Sequence, residues 1–220
     1  PIEAVSDLCK TYGAKLFVDA VSSFSADKIE FENSGITFMT TSSGKALASY
    51  PGLSFVFGRN QSFSEICKYP VRNHYLHLPR FFNNSIKFHE TPNTPAVSLI
   101  VALHRCLEAI CREGMEQRHT RLTNLAHYMR RGLGQRKLFQ EDENDRSIVL
   151  TNARLPESIT FEALQTELKK YGFIIYDAKG PLKGQFFQVS TIGEITHEVI
   201  DNFFSAYDAI HETLNIKSSV

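Results

Sequence analysis

The chain has 220 residues, of which 42% are hydrophobic and 22% charged, as is ordinary for a globular protein with a substantial core. Its 24 basic and 24 acidic side chains cancel, which argues against a nucleic-acid partner and against binding to a charged membrane surface. No apolar run is long enough to cross a bilayer, and the 4 cysteines show neither CxxC spacing nor a dense disulfide pattern, which favours reduced thiols in a cytoplasmic protein.

The first half of the chain shows helices and strands in alternation. Apolar residues at helical spacing from Ile2 predict a helix that ends at Gly13. Three apolar runs predict strands over residues 15–19, 36–40 and 53–57. A second helix fits residues 61–68, whereas residues 73–93 are aromatic, rich in histidine and irregular. Such a segment is typical of a long active-site or dimer-contact loop rather than a core element.

The second half of the chain starts with two predicted helices. Pro95 fits the first turn of a long helix that ends near Gly114, and another helix runs from Met115 to about residue 133. Further along, the pattern predicts strands over residues 147–151, 173–176 and 186–189 and helices over residues 160–170 and 196–214. Thr160 has the side chain expected of a helix N-cap.

The domain organisation is read from one polar run and from the start of the chain. The acidic residues over 140–146 resemble an exposed connection, which predicts domains over residues 1–140 and 141–220. The chain begins on Pro1, at a point that already resembles the inside of a helix. We therefore expect it to be a fragment of a longer protein.

Two of the predicted strands end in residues that pyridoxal 5′-phosphate (PLP) chemistry requires. Asp19 closes one apolar run, and Lys45 follows the next. A lysine amine forms the Schiff base with PLP, and an upstream carboxylate keeps its pyridine nitrogen protonated. Ligands lie beyond the carboxyl ends of strands in parallel α/β sheets, so these side chains are expected to share one site. Taken singly, Asp19 is more typical of a turn and Lys45 of a solvated loop, and only the pair supports the interpretation.

Hydroxyl groups near the same strand ends are candidate ligands for the cofactor's phosphate or ring oxygens. Four of them are serines that follow the two strands: Ser22, Ser23, Ser42 and Ser43. Thr91 and Thr94 precede a predicted helix N-terminus, where an anion is favoured. Plain capping of that helix explains the two threonines equally well.

Other kinds of site are disfavoured by spacing and charge. His74, His77 and His89 lie in an irregular segment without a cysteine or carboxylate at ligand spacing, so no metal site is predicted. Phe81 and Phe82 follow a basic residue, yet the balanced charge argues against stacking on nucleic acid.

Several motifs occur together in the order typical of one family. They are residues 19–23, 41–47, 51–53 and 91–94, followed by 172–179 and 192–195. In this order they resemble the class V aminotransferases of PLP fold type I. The resemblance implies an α/β fold in which residues 1–140 form the latter part of the PLP-binding large domain. A small C-terminal α/β domain would then cover residues 141–220.

The resemblance also implies a role for individual residues. Lys45 matches the Schiff-base lysine, and Asp19 matches the partner of the pyridine nitrogen. Val21 matches the small apolar residue packed on one face of the ring, and Ser42 is a further candidate contact. The family's threonine that reaches the phosphate bound by the partner subunit corresponds to Thr91 or Thr94, which implies a homodimer with shared active sites.

Within the class, the likeness points to enzymes that transfer the amino group of 2-aminoethylphosphonate to pyruvate, giving phosphonoacetaldehyde and alanine. It thus implies small-molecule partners only, an amino donor and a 2-oxo acid acceptor, and a place in phosphonate metabolism. Another class V activity, of the alanine–glyoxylate or serine–pyruvate type, is an alternative. A non-catalytic fragment or a degenerate subunit is a second alternative.

Three departures from the family pattern motivate these alternatives. The N-terminal part of the family, including its glycine-containing phosphate loop and the aromatic residue that stacks on the ring, has no counterpart in this chain. Gly44 stands before the lysine, where the family has glutamine or asparagine. Gln188 stands where the family has an arginine that binds the acidic group of the substrate, and an amide cannot form a bidentate ion pair.

Overall fold

The computed structural model describes the backbone over residues 2–139 and 147–218 and the side chains up to residue 213. The chain divides into two compact units, with the division between Glu113 and Gly114. The domain boundary predicted near residue 140, and the acidic run over 140–146, lie outside the described residues, so the division into domains 1–140 and 141–220 stays a prediction. Within the described ranges, no helix combines the length and the apolar character needed to span a bilayer.

The first unit contains a three-stranded mixed sheet and four helices. Its elements are α1 (Ile2–Thr11), β1 (Leu16–Asp19), β2 (Ile36–Ser42), β3 (Ser54–Gly58), α2 (Asn60–Ile66), α3 (Leu78–Phe88) and α4 (Val97–Glu113). The strand order is β1-β2-β3, with β1 parallel and β3 antiparallel to β2. Ile36 and Met39 of β2 are buried with Ala20, and this small apolar cluster fixes the central strand. The predicted strands over 15–19, 36–40 and 53–57 are confirmed to within about two residues.

Helix α3 contradicts the irregular structure predicted over residues 73–93. Pro79 lies in its first turn, where proline is tolerated, and is buried. Phe82 stacks on Phe63 of α2 with the ring centroids 4.8 Å apart. One of the aromatic residues that suggested a loop, Phe82, therefore packs between two helices. The signal that was available is the apolar i, i+4 spacing of Leu78, Phe82 and Ile86.

The second unit packs an antiparallel sheet against helices. Its elements are α5 (Met115–Gln135), β4 (Leu150–Arg154), α6 (Phe161–Lys170), β5 (Tyr176–Asp177), a 3₁₀ turn (Gly180–Leu182), β6 (Phe186–Ser190) and α7 (His197–Ser218). The strand order is β4-β6-β5. Ala153 and Phe187 lie in the core on the inner face, whereas Asn152 and Gln188 belong to the opposite face. The predicted N-cap is confirmed, because the Thr160 hydroxyl accepts the Ala163 amide hydrogen at 3.3 Å.

Two strands of this unit differ from their predicted positions. β4 begins at Leu150 rather than at residue 147, and β5 covers only Tyr176 and Asp177. In the second case, the Phe173 amide closes the end of α6 on the Leu168 carbonyl at 3.0 Å, and Ile175 is buried in the core. The apolar residues before both strands are thus used for packing in the core and not for hydrogen bonding within the sheet. A sequence pattern does not distinguish these two uses.

Gly132 in α5 allows a close approach that any larger residue would prevent. A Cβ atom at this position would overlap the buried ring of Phe204. We expect Gly132→Ala to lower the free energy of unfolding of this unit by about 1–3 kcal/mol, the usual cost of overpacking a core. Chemical denaturation measures this loss.

The matched control for this prediction lies two residues further along the same helix. A Cβ at Gly134 would approach only the Phe139 carbonyl oxygen, at an ordinary 3.6 Å. Gly134→Ala is therefore expected to be neutral or to stabilise by up to about 1 kcal/mol through helix propensity. Equal effects of the two substitutions would contradict the close packing at Gly132.

Candidate active site

Strands β1 and β2 bring the residues that follow them to one edge of the sheet. The two strands are parallel, with Asp19 beside Thr40 in the register, and the Ala20 amide donates to the Thr40 carbonyl at 2.8 Å. Asp19 is exposed at this edge. Its Oδ1 accepts the Val21 amide hydrogen at 3.0 Å, which orients the carboxylate toward its own turn.

Lys45 extends from a turn that follows β2 toward the segment that follows β1. Its Nζ donates to Ser22 Oγ at 3.2 Å. Ser22 is three residues beyond Asp19, so the chain between them spans at most roughly 11 Å. The structure therefore brings the amine and the carboxylate to the same edge, and it gives Ser22 a contact with the lysine.

The turn that carries Lys45 is held from within by Ser43. This buried hydroxyl donates to the Tyr50 carbonyl at 2.6 Å and accepts the Leu53 amide hydrogen at 3.2 Å. The Ala48 amide also donates to the Lys45 carbonyl at 2.7 Å. These bonds fold residues 43–53 back on themselves, so the lysine extends from a closed turn and not from an open loop.

Gly44 is explained by the same fold-back. A Cβ at this position would lie 2.9 Å from Pro51 Cβ and 3.0 Å from Pro51 Cα. Distances this short require the backbone to move, because Pro51 Cα belongs to the main chain. The asparagine or glutamine expected from the resemblance would not fit here without a shift of the turn.

We expect Gly44→Ala to destabilise the turn by about 1–3 kcal/mol and to reduce covalent capture of PLP at Lys45. The capture is measured by borohydride reduction followed by peptide mass spectrometry, and the stability by denaturation. Gly134→Ala serves as the control, because it adds the same methyl group where there is room. Unchanged capture and stability in Gly44→Ala would show that the contact with Pro51 is easily relieved.

The other predicted contacts of the first unit lie near the strand ends or in a separate loop. Val21 is half-buried directly after the Asp19 turn, and Ser42 is the last residue of β2 and is half-buried. Thr91 and Thr94 are exposed in the loop before α4, and the Thr91 hydroxyl donates to the Asn93 carbonyl at 2.7 Å. This hydrogen bond of Thr91 stays within its own loop.

Arg80 makes structural contacts in this region that the sequence did not lead us to expect. From α3, its guanidinium donates to the Pro92 carbonyl at 2.7 Å and to Asn93 Oδ1 at 3.3 Å. These bonds fix the loop that presents Thr91 and Thr94. The helix that carries Arg80 was not predicted, so nothing in the sequence pattern placed it beside that loop.

Gln188 lies in the second unit, on the central strand β6. Its Nε2 donates to Asn152 Oδ1 on β4 at 3.0 Å, and the two residues are direct partners in the register. The amide at the position where the resemblance leads us to expect an arginine is therefore paired with a second neutral amide.

The chemistry of Asp19 and Lys45 fits PLP. A lysine amine bonded to a neutral hydroxyl remains available for covalent attachment of an aldehyde, and an oriented carboxylate suits a protonated ring nitrogen. Within the part of the chain that the structure describes, neither side chain forms an ion pair that would occupy it. Among the same residues, no group of three or more histidine, cysteine or carboxylate side chains is arranged to hold a metal ion.

Comparison with known proteins adds independent findings. Residues 1–180 match the family model of the class-V aminotransferases. The chain is 31% identical over 197 residues to an uncharacterized aminotransferase of Methanocaldococcus jannaschii, covering 88% of this chain and 51% of that protein. It is 29% identical over 213 residues to 2-aminoethylphosphonate–pyruvate transaminase of Vibrio vulnificus, covering 94% of this chain and 58% of the relative.

A solved structure shares the same fold. The crystal structure of alanine–glyoxylate aminotransferase from Nostoc sp. superposes with a TM-score of 0.87 at 21% identity, over 96% of this chain and 57% of that one. This likeness confirms the α/β fold of PLP-dependent transferases that the sequence predicts. The chain spans about half to three fifths of the length of the curated relatives it matches.

Proposed function

Because the chain belongs to the class V aminotransferase family, we propose that it acts as a PLP-dependent aminotransferase. The observation that carries the proposal is the Lys45 amine held at the sheet edge where Asp19 presents its carboxylate. An amine alone, or a carboxylate alone, would serve many roles. The two together at the ends of adjacent parallel strands are what the chemistry requires.

Each of the two residues has a distinct task in the proposed reaction. When bound, PLP supplies an electron sink for the carbon that carries the amino group. Lys45 would hold the cofactor through Nζ and would move a proton at the substrate carbon as general base and acid. Asp19 holds a proton on the pyridine nitrogen through its negative charge. Val21 would pack against the ring, and Ser42 would supply a polar contact.

The leading substrate pair is 2-aminoethylphosphonate as donor and pyruvate as acceptor. The support is the similarity to relatives named for that reaction, at 29% identity for the Vibrio vulnificus protein. The resemblance assigns Thr91 or Thr94 to the phosphate of a neighbouring subunit, and it assigns Gln188 to the acidic group of the substrate. A homodimer with shared active sites follows from the first assignment.

Gln188 favours a second candidate of the same class. Its amide donates to Asn152, so this strand offers a neutral hydrogen-bonding pair where a doubly charged phosphonate would gain most from a guanidinium. A donor and acceptor pair of the alanine–glyoxylate or serine–pyruvate type depends less on a positively charged side chain at this position. A degenerate, non-catalytic subunit remains the alternative from a different class.

A donor screen with the purified protein, PLP and pyruvate or glyoxylate separates these candidates. The leading proposal expects phosphonoacetaldehyde from 2-aminoethylphosphonate and pyruvate. Product from alanine and glyoxylate alone would select the second candidate. If no donor yields product, and PLP is not captured at Lys45 in the same preparation, the non-catalytic alternative is supported. The Lys45→Ala variant is the blank for every arm.

A further inference from the structure

Ser25 adopts a backbone conformation that its side chain does not favour. Its φ is 69°, in the left-handed region, where the Cβ of an ordinary residue meets the neighbouring carbonyl. The residue is buried, with 7% of its surface exposed. Glycine would adopt this φ without strain, so a serine here calls for a reason beyond backbone freedom.

The hydroxyl of Ser25 reaches the backbone of the lysine turn. Ser25 Oγ donates to the Ala46 carbonyl at 3.0 Å, in a buried hydrogen bond that joins residues 21 positions apart. Ala46 directly follows Lys45 and is itself 1% exposed. The bond therefore anchors the main chain next to the lysine from outside the turn that Ser43 closes.

Ser25 and Ser22 belong to the same tight turn after β1. The Phe24 amide donates to the Ala20 carbonyl at 2.8 Å, and the Ala26 amide donates to the Ser23 carbonyl at 2.9 Å. One serine of this turn thus holds the backbone beside Lys45, and another accepts the hydrogen bond of its Nζ at 3.2 Å. Lys45 Nζ and the main chain beside Lys45 are therefore both bonded to the turn that follows Asp19.

We propose that Ser25 is a positioning residue for Lys45, whose buried hydroxyl fixes the lysine turn so that the amine meets Ser22. The purpose of this positioning rests on the proposed function, whereas the anchoring itself does not. A buried hydroxyl that holds a carbonyl costs stability when removed, and a strained φ is relieved by glycine. These two effects can be separated by substitution.

The experiment compares Ser25→Ala with Ser25→Gly in the cofactor-free protein by peptide-resolved hydrogen exchange. Both variants lose the hydroxyl, but only the glycine variant relieves the strained φ. We expect exchange over residues 44–50 to become roughly tenfold faster in both, while β3 is unchanged. Thermal stability should fall in Ser25→Ala and fall less, or not at all, in Ser25→Gly.

The matched control is Ser34→Ala in the same unit. Ser34 is also buried, and its hydroxyl donates to the Phe31 carbonyl at 3.1 Å, without a bond to the lysine turn. This variant should lose stability but keep wild-type exchange over residues 44–50. Wild-type exchange in Ser25→Gly, or equally fast exchange in Ser34→Ala, would overturn the proposal.

A second readout connects the anchor to the proposed chemistry. Capture of limiting PLP at Lys45, measured by borohydride reduction and mass spectrometry, is expected to fall several-fold in both Ser25 variants. If the wild-type protein captures no PLP, the proposed function fails, and the hydrogen-exchange result still decides whether Ser25 anchors the turn. If capture is normal in both variants despite faster exchange, the positioning role is wrong.

Discussion

Lys45→Ala is expected to abolish transamination, with a loss of kcat of about 10³-fold or more. The side chain is proposed to supply both the covalent attachment and the proton transfer, and proton transfer alone contributes roughly 10²–10⁴-fold. Because Lys45 is exposed and donates to the exposed Ser22, the free energy of unfolding should change by less than about 0.5 kcal/mol. Initial rates with the best donor measure the loss.

The control for this variant is Lys68→Ala. Lys68 is likewise exposed in the first unit, beyond α2, so it tests the loss of one positive charge without loss of the proposed nucleophile. We expect wild-type rates and wild-type capture of PLP at Lys45 in this variant. Comparable losses in the two variants, or a PLP adduct on another lysine of the wild-type protein, would contradict the assignment of Lys45.

Asp19→Asn is expected to lower kcat/KM by about 10²–10³-fold, the scale observed when one preorganised electrostatic partner is removed. The substitution is informative because of the local geometry. Asp19 Oδ1 accepts the Val21 amide hydrogen, and an asparagine Oδ1 accepts the same bond, so the turn is kept and only the negative charge is lost. Kinetics and denaturation on the same preparations separate these two effects.

Two further variants test the limits of this prediction. Asp19→Ala removes both the charge and the turn, so it should lose activity at least as fully and also lose roughly 1 kcal/mol of stability. Glu30→Gln, at an exposed position of the same unit, removes a carboxylate away from the strand ends and should leave the rates unchanged. Full activity of Asp19→Asn would show that the charge of this carboxylate is not used.

The two predictions also distinguish the candidate functions. In a degenerate subunit, Lys45 and Asp19 have no catalytic task, so both substitutions would leave ligand binding and stability nearly unchanged. In an active enzyme of either donor class, both substitutions act on the chemical step, whatever the substrate. The donor screen then identifies the reaction, because the tasks proposed for Lys45 and Asp19 are the same for every donor.

Much of the architecture was predictable because it depends on local patterns. Apolar alternation located β1 and β2, and therefore showed that Asp19 ends one strand and that Lys45 follows the next. Thr160 was recognisable as an N-cap because capping depends on the few residues around it. Gly44 and Gln188 stood out as departures from the family pattern, although their structural consequences did not.

The details that decide the site required contacts between residues far apart in the sequence. The contact of Lys45 with Ser22, the bond from Ser25 to the Ala46 carbonyl and the approach of Pro51 to Gly44 join separate segments. Helix α3 was missed although its apolar i, i+4 spacing is a local signal, and the role of Phe82 became clear only from its stacking on Phe63 of α2. Sequence by itself determined which residues end the strands, since side-chain periodicity is local. Tertiary structure alone decided which of them lie in contact, because that depends on how segments distant in the sequence pack together.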